Sequence, residues 1–265
     1  MNTELTAAQI EQYQKDGFLA INDFLSEDEL QQWREVTDAA VAARLRDESG
    51  ITNQGSDEYY SQVFLQCINL KDSYEPMRGI ILDERIGKVA ATLAGVDGVR
   101  IWHDQALVKQ PYGNATAWHL DNPFWSFFHK EAISIWVALD DATLENGCLW
   151  YLPGTHREAR FEETSIGVNM RDLFKHYPEW QKIEAKAAPL KAGGAVFHNG
   201  LTAHGAGANM TNGQRRAMTC GYMPEGSTFN GQRNILSDEQ MSKLKVGDVM
   251  NDDVHNPLVW RRSNS

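Results

Sequence analysis

The chain has 265 residues, 42% of them hydrophobic and 23% charged, which excludes a disordered or fibrous protein and leaves ample length for a sizeable core. Its 25 Lys and Arg against 36 Asp and Glu leave a formal charge of −11, which argues against nucleic acid or an anionic membrane as a partner. No run approaches the roughly eighteen apolar residues of a membrane span, and Cys67, Cys148 and Cys220 are too few and too scattered for a disulfide framework, so the expectation is a soluble protein of the reducing cytoplasm.

One domain is expected over residues 1–265: a mainly helical part at 1–98, a β core at 99–223 with an insertion at 153–189, and a C-terminal extension at 224–265. In chain order, Thr6 with Gln9 forms a capping box that opens a short helix, Gly17 stops it, and 18–21 reads as extended. Ser26 with Glu29 opens a longer helix whose apolar residues Leu30, Trp33, Val36, Ala40 and Leu45 roughly follow a helical period. Residues 51–60 read as an exposed loop, and a third helix is predicted over 77–93 with Gly95 as its stop.

After residue 98 the texture changes. Short apolar runs at 99–109, 117–119, 132–139, 148–152, 195–198 and 215–223 are separated by Gly, Pro and Asn, the spacing of an all-β barrel or sandwich. Between Pro153 and Pro189 lies a long insertion with an aromatic middle, Phe161, Phe174, Tyr177 and Trp180, which reads either as a lid over a site or as a peripheral excursion. Ser237 with Gln240 caps one more helix near the end.

The chemistry concentrates in His119-Leu120-Asp121, where two ligating side chains two residues apart on a strand edge share a face and grip one ion. His204, flanked by the small residues Ala203, Gly205, Ala206 and Gly207, supplies a third ligand and leaves room on the open side of the metal. Two His and one carboxylate on one triangular face suit Fe(II), which then keeps positions for a cosubstrate and O₂. Arg215, eleven residues after His204, opens a strand expected to run antiparallel to the one carrying His204. Its guanidinium offers a fork for the distal carboxylate of a keto acid.

These residues resemble the phytanoyl-CoA dioxygenase (PhyH) family of Fe(II)- and 2-oxoglutarate-dependent oxygenases. The resemblance is carried by Gly17-Phe18, the stretch 109–121, Asn146-Gly147-Cys148, the run from Leu152 to Arg157, and His204 with Arg215. It implies a mainly β fold with flanking helices around a double-stranded β-helix, the jelly-roll or cupin-like core. It also implies that His119, Asp121 and His204 hold iron and that Arg215 clamps 2-oxoglutarate. Gln105, Trp136 and Gln66 stand where the family has further cosubstrate contacts. The implied reaction hydroxylates an unactivated C–H of a small organic substrate and releases succinate and CO₂. One departure is Ala206, where family members often carry a hydroxyl. A halogenase is disfavoured because Asp121 fills the carboxylate slot.

Competing readings stay beside this one. A non-redox, metal-dependent cupin isomerase or hydrolase, or a non-catalytic metal-binding protein, needs no Arg215. His129 with Glu131 is a rival metal pair, and His198 a rival third ligand whose removal is expected to leave iron binding intact. His103, His156, His176 and His255 read as surface or satisfied interior groups. Phe124 and Trp125 read as pocket wall, whereas Trp118, Phe127 and Phe128 read more as packing. Arg216 is expected to point away from Arg215 into solvent or a loop. The prime substrate and the oligomeric state are not legible.

Overall fold

The structure, a computed structural model, describes residues 1–47, 50–53, 59–162 and 167–263. Helix α1 (Ala7–Asp16) begins at Thr6 with both halves of the capping box made, and ends at Gly17, whose φ of 81° and N–H to Tyr13 O close the last turn. Strand β1 (Phe18–Ile21) follows, then α2 (Glu27–Asp47), opened by the Ser26 and Glu29 box. The expected 51–60 loop contains a short strand, β2 (Ile51–Thr52), paired with β3 (Leu65–Ile68); residues 54–58 of it lie outside the described residues.

The single helix expected over 77–93 is divided. After α3 (Leu70–Ser73), α4 (Glu75–Ile81) stops at Leu82, and α5 (Glu84–Ala94) restarts because the Asp83 carboxylate accepts from Arg85 N. A short acidic side chain bonds free N–H groups better at a helix start than inside one, so Asp83 favours two helices over one.

The strands β4 (Gly98–Lys109), β5 (Thr116–His119), β6 (Ile133–Ala138) and β7 (Leu149–Tyr151) match the apolar runs. The insertion holds α6 (Leu173–His176) and ends in β8 (Lys186–Ala188). Then come β9 (Ala195–Asn199), β10 (His204–Ala206), β11 (Arg215–Pro224), α7 (Asp238–Lys243) and β12 (Leu258–Arg261). Every described pairing is antiparallel. The major sheet runs β1-β9-β6-β11-β4-β3-β2, with β12 extending the edge of β4 beside β3, and the minor sheet runs β5-β10-β7-β8. The Arg215 strand and the His204 strand, consecutive in sequence, are not sheet neighbours: β10 lies between β5 and β7 in the minor sheet, while β11 lies between β4 and β6 in the major one. The loop at 207–214 crosses between sheets instead of turning a hairpin.

Alternation along the strands divides the molecule into layers. Met218, Cys220 and Tyr222 of β11 with Ile133, Ile135 and Val137 of β6 face outward and pack under the helices. Between the sheets, Trp136, Ala138, Tyr151, Val196 and Ala217 form a second cluster. The aromatic middle of the insertion packs on Leu120, Leu152 and Ala203 behind the minor sheet, stacking Tyr177 on Trp180.

Gly17 ties the α1–β1 corner to the loop that feeds β10: its carbonyl accepts from Asn199 N and the Thr202 hydroxyl, both at 2.9 Å. A Cβ at Gly17 would collide with Thr202 Oγ1 and His156 Nδ1 at a positive φ. Gly17→Ala is therefore expected to lower stability by about 2–4 kcal/mol in denaturant unfolding, and a change under about 0.5 kcal/mol would contradict this role.

Candidate active site

His119 ends β5 and His204 begins β10, and the two face each other directly across the antiparallel pair. Their rings lie 4.2 Å apart. Each Nδ1 sits on a main-chain carbonyl, Ala117 O at 2.8 Å for His119 and Thr202 O at 3.0 Å for His204. A carbonyl accepts only from a protonated Nδ1, so both Nε2 atoms are left as lone pairs aimed at the same point.

Asp121 reaches that point by a route that strand alternation does not describe. The strand stops at His119, and Asp121 has helical backbone angles at the start of a 3-10 turn over Asn122–Phe124. The N–H groups of Asp121 and Asn122 both donate to Gly200 O, and the Asn122 side chain bonds Phe127 O and His129 N, which fixes the turn. Asp121 Oδ1 then lies 3.6 Å from each imidazole Nε2. The ligand atoms of His119, Asp121 and His204 all fall within 4.8 Å of one another, a spacing that one ion can bridge.

The second oxygen, Asp121 Oδ2, is held from behind. Ser134 donates to it at 3.1 Å, His198 Nε2 sits at 3.1 Å, and the Tyr151 hydroxyl lies 3.1 Å from His198 Nδ1. His198 is thus neither a third ligand nor a bystander but a group in contact with the carboxylate. Burial works to raise the Asp121 carboxyl, yet His204, His119 and His198 hold it well below the ordinary value. Burial and then neighbouring His119 push the His204 imidazolium well down, so His204 is neutral and ready to ligate. The rival pair lies apart from this cluster: His129 Nδ1 accepts from Glu131 N, and neither residue borders the cavity in front of the three ligands.

A cavity of about 340 Å³ opens in front of the three groups. Arg215, the first residue of β11, lines it, almost wholly buried, with only Nη2 bonded, to Gly147 O at 3.3 Å. Its Nε and Nη1 have no partner, and its guanidinium carbon lies 5.0 Å over the Trp136 ring. Burial lowers its pKa to about 10, so it remains a cation at neutral pH and calls for an anion. Gln66, Gln105, Trp136, Phe124 and Trp125 also border the cavity, and Gln66 donates to Gln105.

The structure separates other residues from the site. Arg216 makes the expected loop contact away from Arg215, bonding Asp140 after β6 at 2.7 Å, and also bonds Asp38 at 2.6 Å, so it ties β11 to α2. The described residues of the insertion at 153–189 do not border the cavity, whereas Asn234 and Ile235 of the C-terminal extension do. His103, read from sequence as surface or satisfied, lines the cavity. The period-two relation of His103 to Gln105 was the available signal, since both face inward from β4.

Lys109 sits next to this end of the cavity, fully buried, with its ammonium on Asn114 O at 2.6 Å. Burial, then Arg215, lower its pKa from 10.5 to about 7. The folded chain therefore releases this proton before the unfolded chain does, and the penalty is full below pH 7 and fades toward pH 10.5. Lys109→Met is expected to stabilise by roughly 2 kcal/mol near pH 6.5 and by less near pH 9.5, discounting for the lost hydrogen bond. Urea unfolding at both pH values checks this, and a pH-independent difference would contradict it.

Among the described residues no helix is long and apolar enough to cross a membrane. A sequence model of the phytanoyl-CoA dioxygenase (PhyH) family matches residues 13–217. The chain is 26% identical to a methylphosphonate hydroxylase of Gimesia maris over 227 residues, covering 84% of this chain and 82% of that one. It is likewise 26% identical to phytanoyl-CoA dioxygenase domain-containing protein 1 of Bos taurus, over 88% of this chain and 94% of that one. The crystal structure of the non-heme alpha ketoglutarate dependent carbocyclase SnoK from nogalamycin biosynthesis superposes with a TM-score of 0.81 at 27% identity, covering 96% of both chains. The match spans most of the chain and includes the three clustered ligands and the buried arginine, so this protein belongs to the phytanoyl-CoA dioxygenase (PhyH) family of Fe(II)- and 2-oxoglutarate-dependent oxygenases.

Proposed function

We propose that this enzyme oxidises a C–H bond of a small organic molecule at an iron held by His119, Asp121 and His204, with 2-oxoglutarate anchored by Arg215. The observation that carries this reading is the buried guanidinium with two unpartnered N–H donors beside an open-faced two-His, one-carboxylate cluster. A non-redox metal site or a mere metal-binding protein gives that arginine nothing to hold. The donor set fits Fe(II), since neutral imidazoles and one carboxylate leave several positions free. Iron with 2-oxoglutarate supplies O₂ activation, release of succinate and CO₂, and oxidation of the substrate, hydroxylation being the simplest outcome.

The protein's own part is placement. Ala117 O and Thr202 O fix the ligating tautomers of His119 and His204. Ser134 and His198 engage Asp121 Oδ2, so Oδ1 alone faces the imidazoles. Arg215 and the Trp136 face receive the far carboxylate of the cosubstrate, with Gln66 and Gln105 alongside. Where the family resemblance implies a hydroxyl this chain has Ala206, and Thr116, its cross-strand partner and also on the cavity wall, offers one instead. Phe64, Phe124 and Trp125 exclude water from the reacting centre. Residues 1–265 act as one domain, a reading supported by helices α1 to α5 and β12 sharing a core with the major sheet.

The direct test is succinate release from 2-oxoglutarate by the purified chain. Slow turnover that requires Fe(II) and O₂ is expected without a prime substrate, and succinate formation independent of iron would sink the reading. His198→Phe is expected to weaken Fe(II) binding by about 10–100-fold, the usual effect of losing an outer partner of a ligand. His198→Gln, which keeps a donor for Oδ2, should recover part of it; an unchanged Fe(II) Kd in His198→Phe would show that the contact does not matter.

A further inference from the structure

The cavity has two unlike ends. Arg215 pairs with Lys109 at one end of the β11–β4 ladder, and Gly221 pairs with His103 six residues along. That is about 20 Å of strand, more than one cosubstrate molecule fills. The far end is walled by Phe124, Trp125 and Ile235, which pack in one cluster, and the polar cavity-lining residues His103 and Asn234 lie beside them. Of the described cavity-lining residues, Arg215 is the one Lys or Arg and Asp121 the one carboxylate. With both engaged as proposed above, no lysine or arginine remains to neutralise a phosphate, phosphonate or carboxylate on the prime substrate.

His103 is placed to receive something else. It is buried, its Nδ1 has no hydrogen-bond partner outside its own main chain, and its ring meets Trp125 edge-on with centroids 5.7 Å apart. The opposing residue is glycine for a reason of space. A Cβ at Gly221 would lie 3.1 Å from the Trp125 ring and 3.3 Å from His103 Cε1, so a side chain there would press the ring pair back by a few tenths of an ångström. Burying an imidazole without a partner costs free energy, and a ligand that supplies the partner recovers it.

We infer that the prime substrate is an uncharged molecule with an apolar, ring-sized body and a hydroxyl or carbonyl group that His103 takes by hydrogen bond. Burial holds the His103 imidazolium down at about 4, so the ring meets its ligand neutral, with one donor and one acceptor. This rests on the oxygenase reading in one respect: 2-oxoglutarate occupies Arg215.

The probes are 1-naphthol, naphthalene and 1-naphthoate, alike in ring size and different in the polar group. Equilibrium dialysis is done anaerobically on the full chain loaded with Fe(II) and saturating 2-oxoglutarate. Wild type is expected to bind 1-naphthol about 5–10-fold more tightly than naphthalene, the effect of one buried hydrogen bond, and 1-naphthoate no better than naphthalene. His103→Phe, which keeps a ring against Trp125, should bring 1-naphthol to the naphthalene level and leave naphthalene within about twofold; His103→Gln should restore part of the preference. Tighter binding of 1-naphthoate, a preference for 1-naphthol that survives His103→Phe, or no binding of any probe overturns the inference. The visible absorption of the Fe(II) chelate in the same samples separates the two levels: its absence counts against the oxygenase reading, whereas its presence without the naphthol preference counts only against His103.

Discussion

Asp121→Ala is expected to lose more than about a hundredfold in Fe(II) affinity, beyond what removal of an outer partner such as His198 produces, and to abolish turnover. The carboxylate is the one anionic group of the cluster, and its Oδ1 lies 3.6 Å from both imidazole Nε2 atoms. No other carboxylate lines the cavity among the described residues, the rival Glu131 included. The fold should survive, because the turn that carries Asp121 is held by Gly200 O and the Asn122 side chain and not by the carboxylate. Iron binding by isothermal titration, beside a thermal melt, checks both halves. Retained iron affinity would remove Asp121 from the ligand set.

The second large effect belongs to Arg215. Arg215→Leu is expected to raise the KM for 2-oxoglutarate by about a hundredfold, from the loss of a charge-assisted pair worth roughly 3 kcal/mol. Stability should hold or improve, because an apolar side chain replaces a buried cation with two unsatisfied donors. That opposition, worse binding with an equal or higher Tm, separates a ligand-holding arginine from a structural one. Arg215→Lys should recover little, since an ammonium is a point charge without the fork and lies less well on Trp136. An unchanged KM would take the cosubstrate away from Arg215.

Much of this site is legible in the chain because its signals are local. Capping boxes at Thr6, Ser26 and Ser237 mark helix starts through side chains three residues apart, and the long β4 and β11 announce themselves as apolar runs. The pair His119 and Asp121 is also visible from sequence, although the reason first given for it was incomplete. Asp121 arrives through a 3-10 turn pinned by Gly200 and Asn122, not by strand alternation. What sequence spacing does not carry is which strand lies beside which. Strands β10 and β11 follow one another in sequence yet lie in different sheets, because the 207–214 connection changes sheets.

The same limit explains the other misreadings. Strands β2, β3, β8 and β12 are two to four residues long and are made by pairing partners distant in the chain. The aromatic insertion reads equally as a lid or a peripheral excursion, and its Leu173, Phe174, Tyr177 and Trp180 pack behind the minor sheet while Asn234 and Ile235 border the cavity. His198 and His103 illustrate the point at the level of single residues. One contacts Asp121, which nothing beside it in sequence announces, and the other faces the cavity from β4, which only its period-two relation to Gln105 signals.

Anaerobic titration of the purified protein with Fe(II) and 2-oxoglutarate, followed by visible absorption, tests the central claim most directly. A weak charge-transfer band that saturates at one equivalent of each in wild type and is lost in Asp121→Ala is the predicted result. Iron bound without that band, at any concentration of 2-oxoglutarate, would contradict it and return the site to non-redox metal chemistry.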